Sequence, residues 1–135
     1  MAVITDADPQ LKKDDGTFEA HYPDPVEAVT VSANTAAMNK KQDKFVKVFH
    51  GQKTFEHDFA LHQKNRDVML DALSEIPPTI AASLRQLVDL EVGDQAKAKQ
   101  LFRGIFERES NNIQKGKFAQ ALAAVIEDPD FEGDI

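Results

Sequence analysis

Two short β-branched runs, Ala2-Val3-Ile4-Thr5 and Phe45-Val46-Lys47-Val48-Phe49, are separated by the long stretch 6–44. No other feature limits the possible folds of this chain as strongly. Antiparallel strands can be joined by a two-residue turn, whereas parallel strands need a crossover of a dozen or more residues. The spacing therefore predicts that Ala2–Thr5 and Phe45–Phe49 are neighbouring parallel strands, the first of them buried. Between them, residues 10–25 read as an irregular loop, because Gly16, Pro23 and Pro25 interrupt any period. Ala28–Val31 is a possible third strand, and Thr35 to Lys41 a short helix.

Beyond Phe49 the pattern becomes helical. Lys53 to about His62 is expected to be a helix with Phe55 and Phe59 at i and i+4 forming one buried stripe. Residues 66–76 place Met69, Ala72, Leu73 and Ile76 together, and Pro77-Pro78 ends that helix because the residue before a proline is pushed out of the α region. Pro78 can start the next helix, with Ile80, Leu84, Leu87 and Val88. Gly93-Asp94 breaks the chain again. Residues 95–109 carry Ala98, Leu101, Phe102, Ile105 and Phe106 on one face, and Lys115 to Ile126 carries Phe118, Leu122, Val125 and Ile126. The acidic tail from Glu127 is expected to fray. The predicted fold class is α/β: a parallel sheet of two or three strands followed by a helical C-terminal segment of about five helices. The expected division is 1–62 for the strand-containing part and 63–135 for the helical part.

Composition narrows the chemistry. The 135 residues suit one ordinary domain, and 41% apolar content is enough for a core. With no cysteine, a disulfide or thiolate metal site is impossible, so any metal must be held by carboxylates, histidines or carbonyls, which suits magnesium or manganese. The four histidines form no zinc-type pair. No apolar run approaches the ~20 residues that span a bilayer, and the N-terminus lacks a signal-peptide pattern, so a cytoplasmic protein with no membrane partner is expected. A net charge of −7 argues against a protein that coats nucleic acid generally, but an acidic metal site would itself add negative charge.

Two constellations could carry chemistry. In VITDADP, Asp6 and Asp8 follow a strand, at the strand end where open α/β sheets bind ligands. Alternation along an extended chain would put both carboxylates on one face, able to hold a divalent cation that activates water and neutralises phosphate charge. The plainer reading is an Asp-rich turn. In FVKVFHGQKTFEHDFA, a strand runs through a Gly51 turn into a helix whose start would present Lys53 and Glu56 on one side. The plainer reading there is a solvated lysine and a first-turn glutamate favouring the helix dipole.

In order along the chain, Val3-Ile4-Thr5-Asp6-Ala7-Asp8, Val46-Lys47-Val48-Phe49, Lys53-Thr54-Phe55-Glu56 and Lys115-Gly116-Lys117-Phe118-Ala119-Gln120-Ala121-Leu122-Ala123 resemble the C-terminal TOPRIM nuclease region of OLD-family ATP-dependent endonucleases. The resemblance implies a TOPRIM-type α/β sheet and cleavage of DNA that depends on Mg2+ or Mn2+. It also implies an ATPase domain or subunit as partner, a homo-oligomer in the complete assembly, and a place in DNA repair or phage defence. By motif position, Asp6 and Asp8 resemble the metal-binding pair, Lys53 the catalytic lysine facing the scissile phosphate, and Glu56 the catalytic acidic residue of the same helix. The family's first strand with its glutamate and its Walker-type sequence have no counterpart in the chain. The expectation is therefore a C-terminal fragment or subunit, inactive alone. The alternative is a small acidic helical interaction or inhibitor protein without catalytic activity.

Overall fold

A computed structural model describes residues 1–24, 26–28 and 30–131. The chain forms two compact units, Met1–Asp58 and Phe59–Ile135.

In the first unit, β1 (Ala2–Thr5) pairs in parallel with β4 (Lys47–His50), with Ala2 opposite Lys47 and Thr5 opposite His50. The long connection does what its length requires. β4 starts two residues later than its β-branched run suggests, because the Phe45 and Val46 amides both donate to the Asp43 carboxylate at 2.7 Å. That side chain takes the hydrogen bonds a strand partner would accept. On the outer edge of β4, the Gln42 side-chain oxygen accepts from the Val48 amide at 3.0 Å.

The segment read as irregular contains an antiparallel hairpin, β2 (Gln10–Lys12) with β3 (Phe18–Ala20). Its turn is closed by the Lys13 amide donating to the Thr17 carbonyl, and by Asp15, whose carboxylate accepts from both the amide and the hydroxyl of Thr17. Those bonds hold the Asp15 carboxyl below its ordinary pKa, the hydroxyl bond foremost. The hairpin left no alternation in the sequence because all six strand residues are exposed. Of the third strand expected over Ala28–Val31, Val29 lies outside the described residues, and Ala28, Thr30 and Val31 form no strand. The short helix α1 (Ala33–Asn39) begins where Ser32 accepts from the Thr35 amide.

The helix expected from Lys53 to His62 is reduced to α2 (Phe55–Phe59). Lys53 stands before it, so Lys53, Glu56 and His57 do not share a helical face. Phe55 is exposed and only Phe59 is partly buried, so the expected Phe55/Phe59 stripe is not formed. β1 is likewise not a buried strand, since Ile4 is 83% exposed.

The second unit matches its periodicity closely. α3 (Gln63–Ser74), α4 (Pro78–Leu90), α5 (Asp94–Phe106) and α6 (Lys115–Ile126) follow the apolar spacing, and Pro78 sits in the first turn of α4. α3 is the centre of the unit and packs against α4, α5 and α6. Met69, Ala72 and Leu73 are fully buried and meet Leu84, Leu101, Ile105 and Phe118 in one cluster. Arg66, also buried, donates to the Ala60 and Leu61 carbonyls and to the Asp94 carboxylate at 2.6 Å. It thereby ties the entry of α3 to the start of α5. Of the tail expected to fray, residues 132–135 lie outside the described residues, while Phe131 packs on the cluster and its amide donates to the Asp128 carbonyl.

α4 and α5 approach closely at Gly104, where an added Cβ would lie 2.3 Å from Leu84 Cδ1. Leu84 is itself buried and cannot swing away. Overpacking costs about 1–3 kcal/mol, against a gain of ~1 kcal/mol for alanine over glycine inside a helix. At such a short contact the clash wins. Gly104→Ala is expected to destabilise the protein in urea denaturation, but to stabilise it by up to about 1 kcal/mol in a Leu84→Ala background. A single sign in both backgrounds would show that the two helices are not limited by this contact.

Candidate functional site

The acidic turn after β1 and the segment leaving β4 meet through main-chain hydrogen bonds and the Asp6 carboxylate. β1 stops at Thr5, and the next residues turn. The Ala7 and Asp8 amides both donate to one acceptor, the Lys53 carbonyl, at 2.8 and 3.0 Å. Asp8 has φ +44°, a left-handed conformation that aspartate tolerates better than most residues. The Ala7 carbonyl accepts from the Ser32 amide and the Asp6 carbonyl from the Thr35 hydroxyl at 2.6 Å. The acidic turn is thus held by its backbone from two sides.

This geometry changes how the two carboxylates present themselves. Strand alternation, which would put Asp6 and Asp8 on one face, ends before either residue is reached. Asp6 Oδ1 accepts from the Phe55 amide at 3.0 Å, at the start of α2, while Asp8 is exposed. Glu56 lies in the first turn of α2, half-buried.

Lys53 is brought beside the acidic turn through its main chain, but the residue is only 3% exposed. Its ammonium donates to the His21 carbonyl at 3.3 Å and lies 4.1 Å from the Tyr22 ring centroid. The solvated lysine of the plainer reading is therefore not found: Lys53 is a desolvated cation packed on an aromatic face. The Tyr22 ring also meets the buried His57 ring edge-on, 5.5 Å between centroids. Nearby, His21 Nε2 is 2.7 Å from the Glu27 carboxylate, and that bond with the Asp24 amide holds Glu27 below its ordinary pKa.

Asp58 was not singled out by sequence, yet it shapes the Lys53 loop. Its carboxylate accepts from the Gln52 amide at 2.9 Å and the Lys53 amide at 3.3 Å, and Oδ1 is 3.5 Å from His57 Nδ1. Gly51 is the residue that lets it in, since a Cβ there would lie 1.8 Å from Asp58 Oδ2. Tyr22 and the buried contacts of His57 were missed as well. Their partners are distant in sequence or aperiodic, and no spacing rule links them.

A divalent cation at this place would be held by Asp6 and Asp8. They provide a partial shell, because an octahedral magnesium site usually adds waters and further ligands to its carboxylates, and Asp6 already spends one oxygen on Phe55. Among the described residues, no group of three or more histidine, aspartate and glutamate side chains is arranged to hold a metal. Among them also, no helix is long and apolar enough to cross a membrane.

Gly51→Ala would push the Asp58 carboxylate off the Gln52 and Lys53 amides. Hydrogen bonds to charged groups are worth about 1.5–3 kcal/mol each, so a loss of at least ~2 kcal/mol is expected, with faster hydrogen exchange at both amides. Unchanged exchange at Gln52 and Lys53 would show that Asp58 does not organise this loop.

Compared with protein-family models, curated proteins and solved structures, the chain matches none.

Proposed function

We propose that this chain is part of a metal-dependent DNA endonuclease of the OLD/TOPRIM type, acting in the cytoplasm with an ATPase domain or subunit. One observation carries the reading: the Lys53 carbonyl accepts from both Ala7 and Asp8. The acidic turn and the Lys-Thr-Phe-Glu segment, far apart in sequence, are thereby joined at the C-terminal ends of two parallel strands, where α/β sheets bind their ligands.

In this reading Asp6 and Asp8 hold Mg2+ or Mn2+, which when bound supplies water activation and charge neutralisation. Asp8, exposed in a rigid turn, is the more accessible ligand. Asp6 orients through its bond to the Phe55 amide. Lys53 supplies the positive charge of the motif in this reading; its ammonium rests on the His21 carbonyl and the Tyr22 ring and would neutralise charge on the phosphate. Glu56, in the first turn of α2, is the remaining acidic group of the motif. DNA is the substrate, and the complete assembly is a homo-oligomer. A second reading, an acidic interaction protein without catalytic activity, is favoured by the many large apolar side chains exposed in Met1–Asp58.

Calorimetric titration with manganese separates the two. The nuclease reading expects weak binding, reversed by chelator and abolished in Asp8→Asn, and no efficient DNA cleavage by this chain alone. Tight binding indifferent to Asp6 and Asp8, or no binding at all, would refute it. In an assembly containing the ATPase, Lys53→Ala is expected to lower turnover by a factor of about 100 or more while DNA affinity changes little, as for loss of one donor to transition-state charge. Retained cleavage would reduce Lys53 to a structural cation.

A further inference from the structure

The two-stranded sheet has an inner and an outer face. Val3, Thr5, Val48 and His50 point inward, and Val48 is buried. Ala2, Ile4, Lys47 and Phe49 point outward and all are exposed, with Phe49 57% accessible and opposite Ile4 in the register. Phe45, just before the strand, is 67% exposed and has the Lys44 ammonium 4.7 Å from its ring centroid. Parallel strands are normally covered on both faces, so a bare apolar face with two phenylalanines marks a surface that something else covers.

The charge around that face points to the occupant. Lys40, Lys41, Lys44 and Lys47 fall within eight residues of a chain whose net charge is −7. All four are exposed, and among the described residues none is in an ion pair. The one acidic residue among them, Asp43, turns its carboxylate onto the Phe45 and Val46 amides. Lys47 stands on the same face as Ile4 and Phe49. An apolar protein layer would have to bury that ammonium unpaired, which is costly, whereas a phosphodiester backbone would pair with it. Exposed aromatic rings beside lysines form a platform on which unpaired bases stack. A duplex hides its base faces, so the fit is to a single strand.

We propose that the outer face of the β1–β4 sheet binds single-stranded DNA, with bases stacked on Phe45 and Phe49 and phosphates on Lys40, Lys41, Lys44 and Lys47. The inference rests on the endonuclease reading for its choice of DNA, and it names the form of the substrate. β4 runs from the lysine cluster towards the acidic turn, so a strand bound along it would be led to Asp6 and Asp8.

The test is fluorescence anisotropy of a labelled oligothymidylate with the full chain in EDTA, so that metal binding plays no part. Binding is expected, stronger than for a duplex of the same length. Single strands lose affinity with a log–log salt slope of roughly 0.7 per phosphate contact, so four lysines give a slope of about −3. Lys44→Gln/Lys47→Gln should reduce its magnitude by about 1.4, and Lys97→Gln, in the other unit, should leave it unchanged. Phe49→Ala should weaken binding roughly tenfold, and Phe49→Trp should preserve it. No binding, or binding indifferent to Phe49 and to both lysines, would overturn the proposal. So would self-association abolished by Ile4→Ser without oligonucleotide binding, which would assign the face to protein. Manganese binding that fails while oligonucleotide binding persists would refute the endonuclease reading and leave this surface standing.

Discussion

The first unit depends on a single carbonyl. Lys53 O accepts two amide hydrogens, from Ala7 and Asp8, and so connects the end of β1 to the loop leaving β4. Two parallel strands of four residues each are weak by themselves. This junction, with the Thr35 hydroxyl and the Ser32 amide on the neighbouring carbonyls, fixes the direction in which the chain leaves the sheet. It also explains why α2 begins at Phe55 and not at Lys53. The residue that would have opened the helix is committed to the acidic turn by its carbonyl and to Asp58 by its amide.

The two units differ in how they are stabilised. Phe59–Ile135 closes its own core, with α3 surrounded by three helices and a buried arginine satisfied by two carbonyls and a carboxylate. Met1–Asp58 buries few apolar side chains and is held mainly by hydrogen bonds to backbone groups, supplied by Asp6, Thr35, Gln42, Asp43 and Asp58. Such bonds are directional and define one conformation. They contribute less than apolar burial to net stability, because each replaces a bond to water. The exposed aromatic face of the first unit is the counterpart of that arrangement: apolar surface that could have entered a core stays outside it.

The acidic turn and Lys53 are placed in a way their sequence spacing did not show. One aspartate is anchored to a helix start and the other is open to solvent, so the pair is asymmetric. The lysine is desolvated on Tyr22, which keeps its position defined and its charge weakly screened.

The sequence by itself determined the elements whose cause is local and periodic. The four helices of the second unit follow from apolar spacing, and α3 ends where Pro77-Pro78 forbids continuation. The parallel pairing of β1 with β4 followed from chain length between two β-branched runs. Tertiary structure decided what depends on distant partners. The β2–β3 hairpin has no buried face, so it left no pattern to read. The burial of Lys53 depends on Tyr22 and His21, some thirty residues earlier, and the role of Gly51 depends on where Asp58 folds back. The relation of Asp6 to Asp8 was misread because alternation holds only while the chain stays extended. A long-range acceptor, the Lys53 carbonyl, pulled that segment into a turn, and no local rule records a hydrogen bond made across forty-five residues.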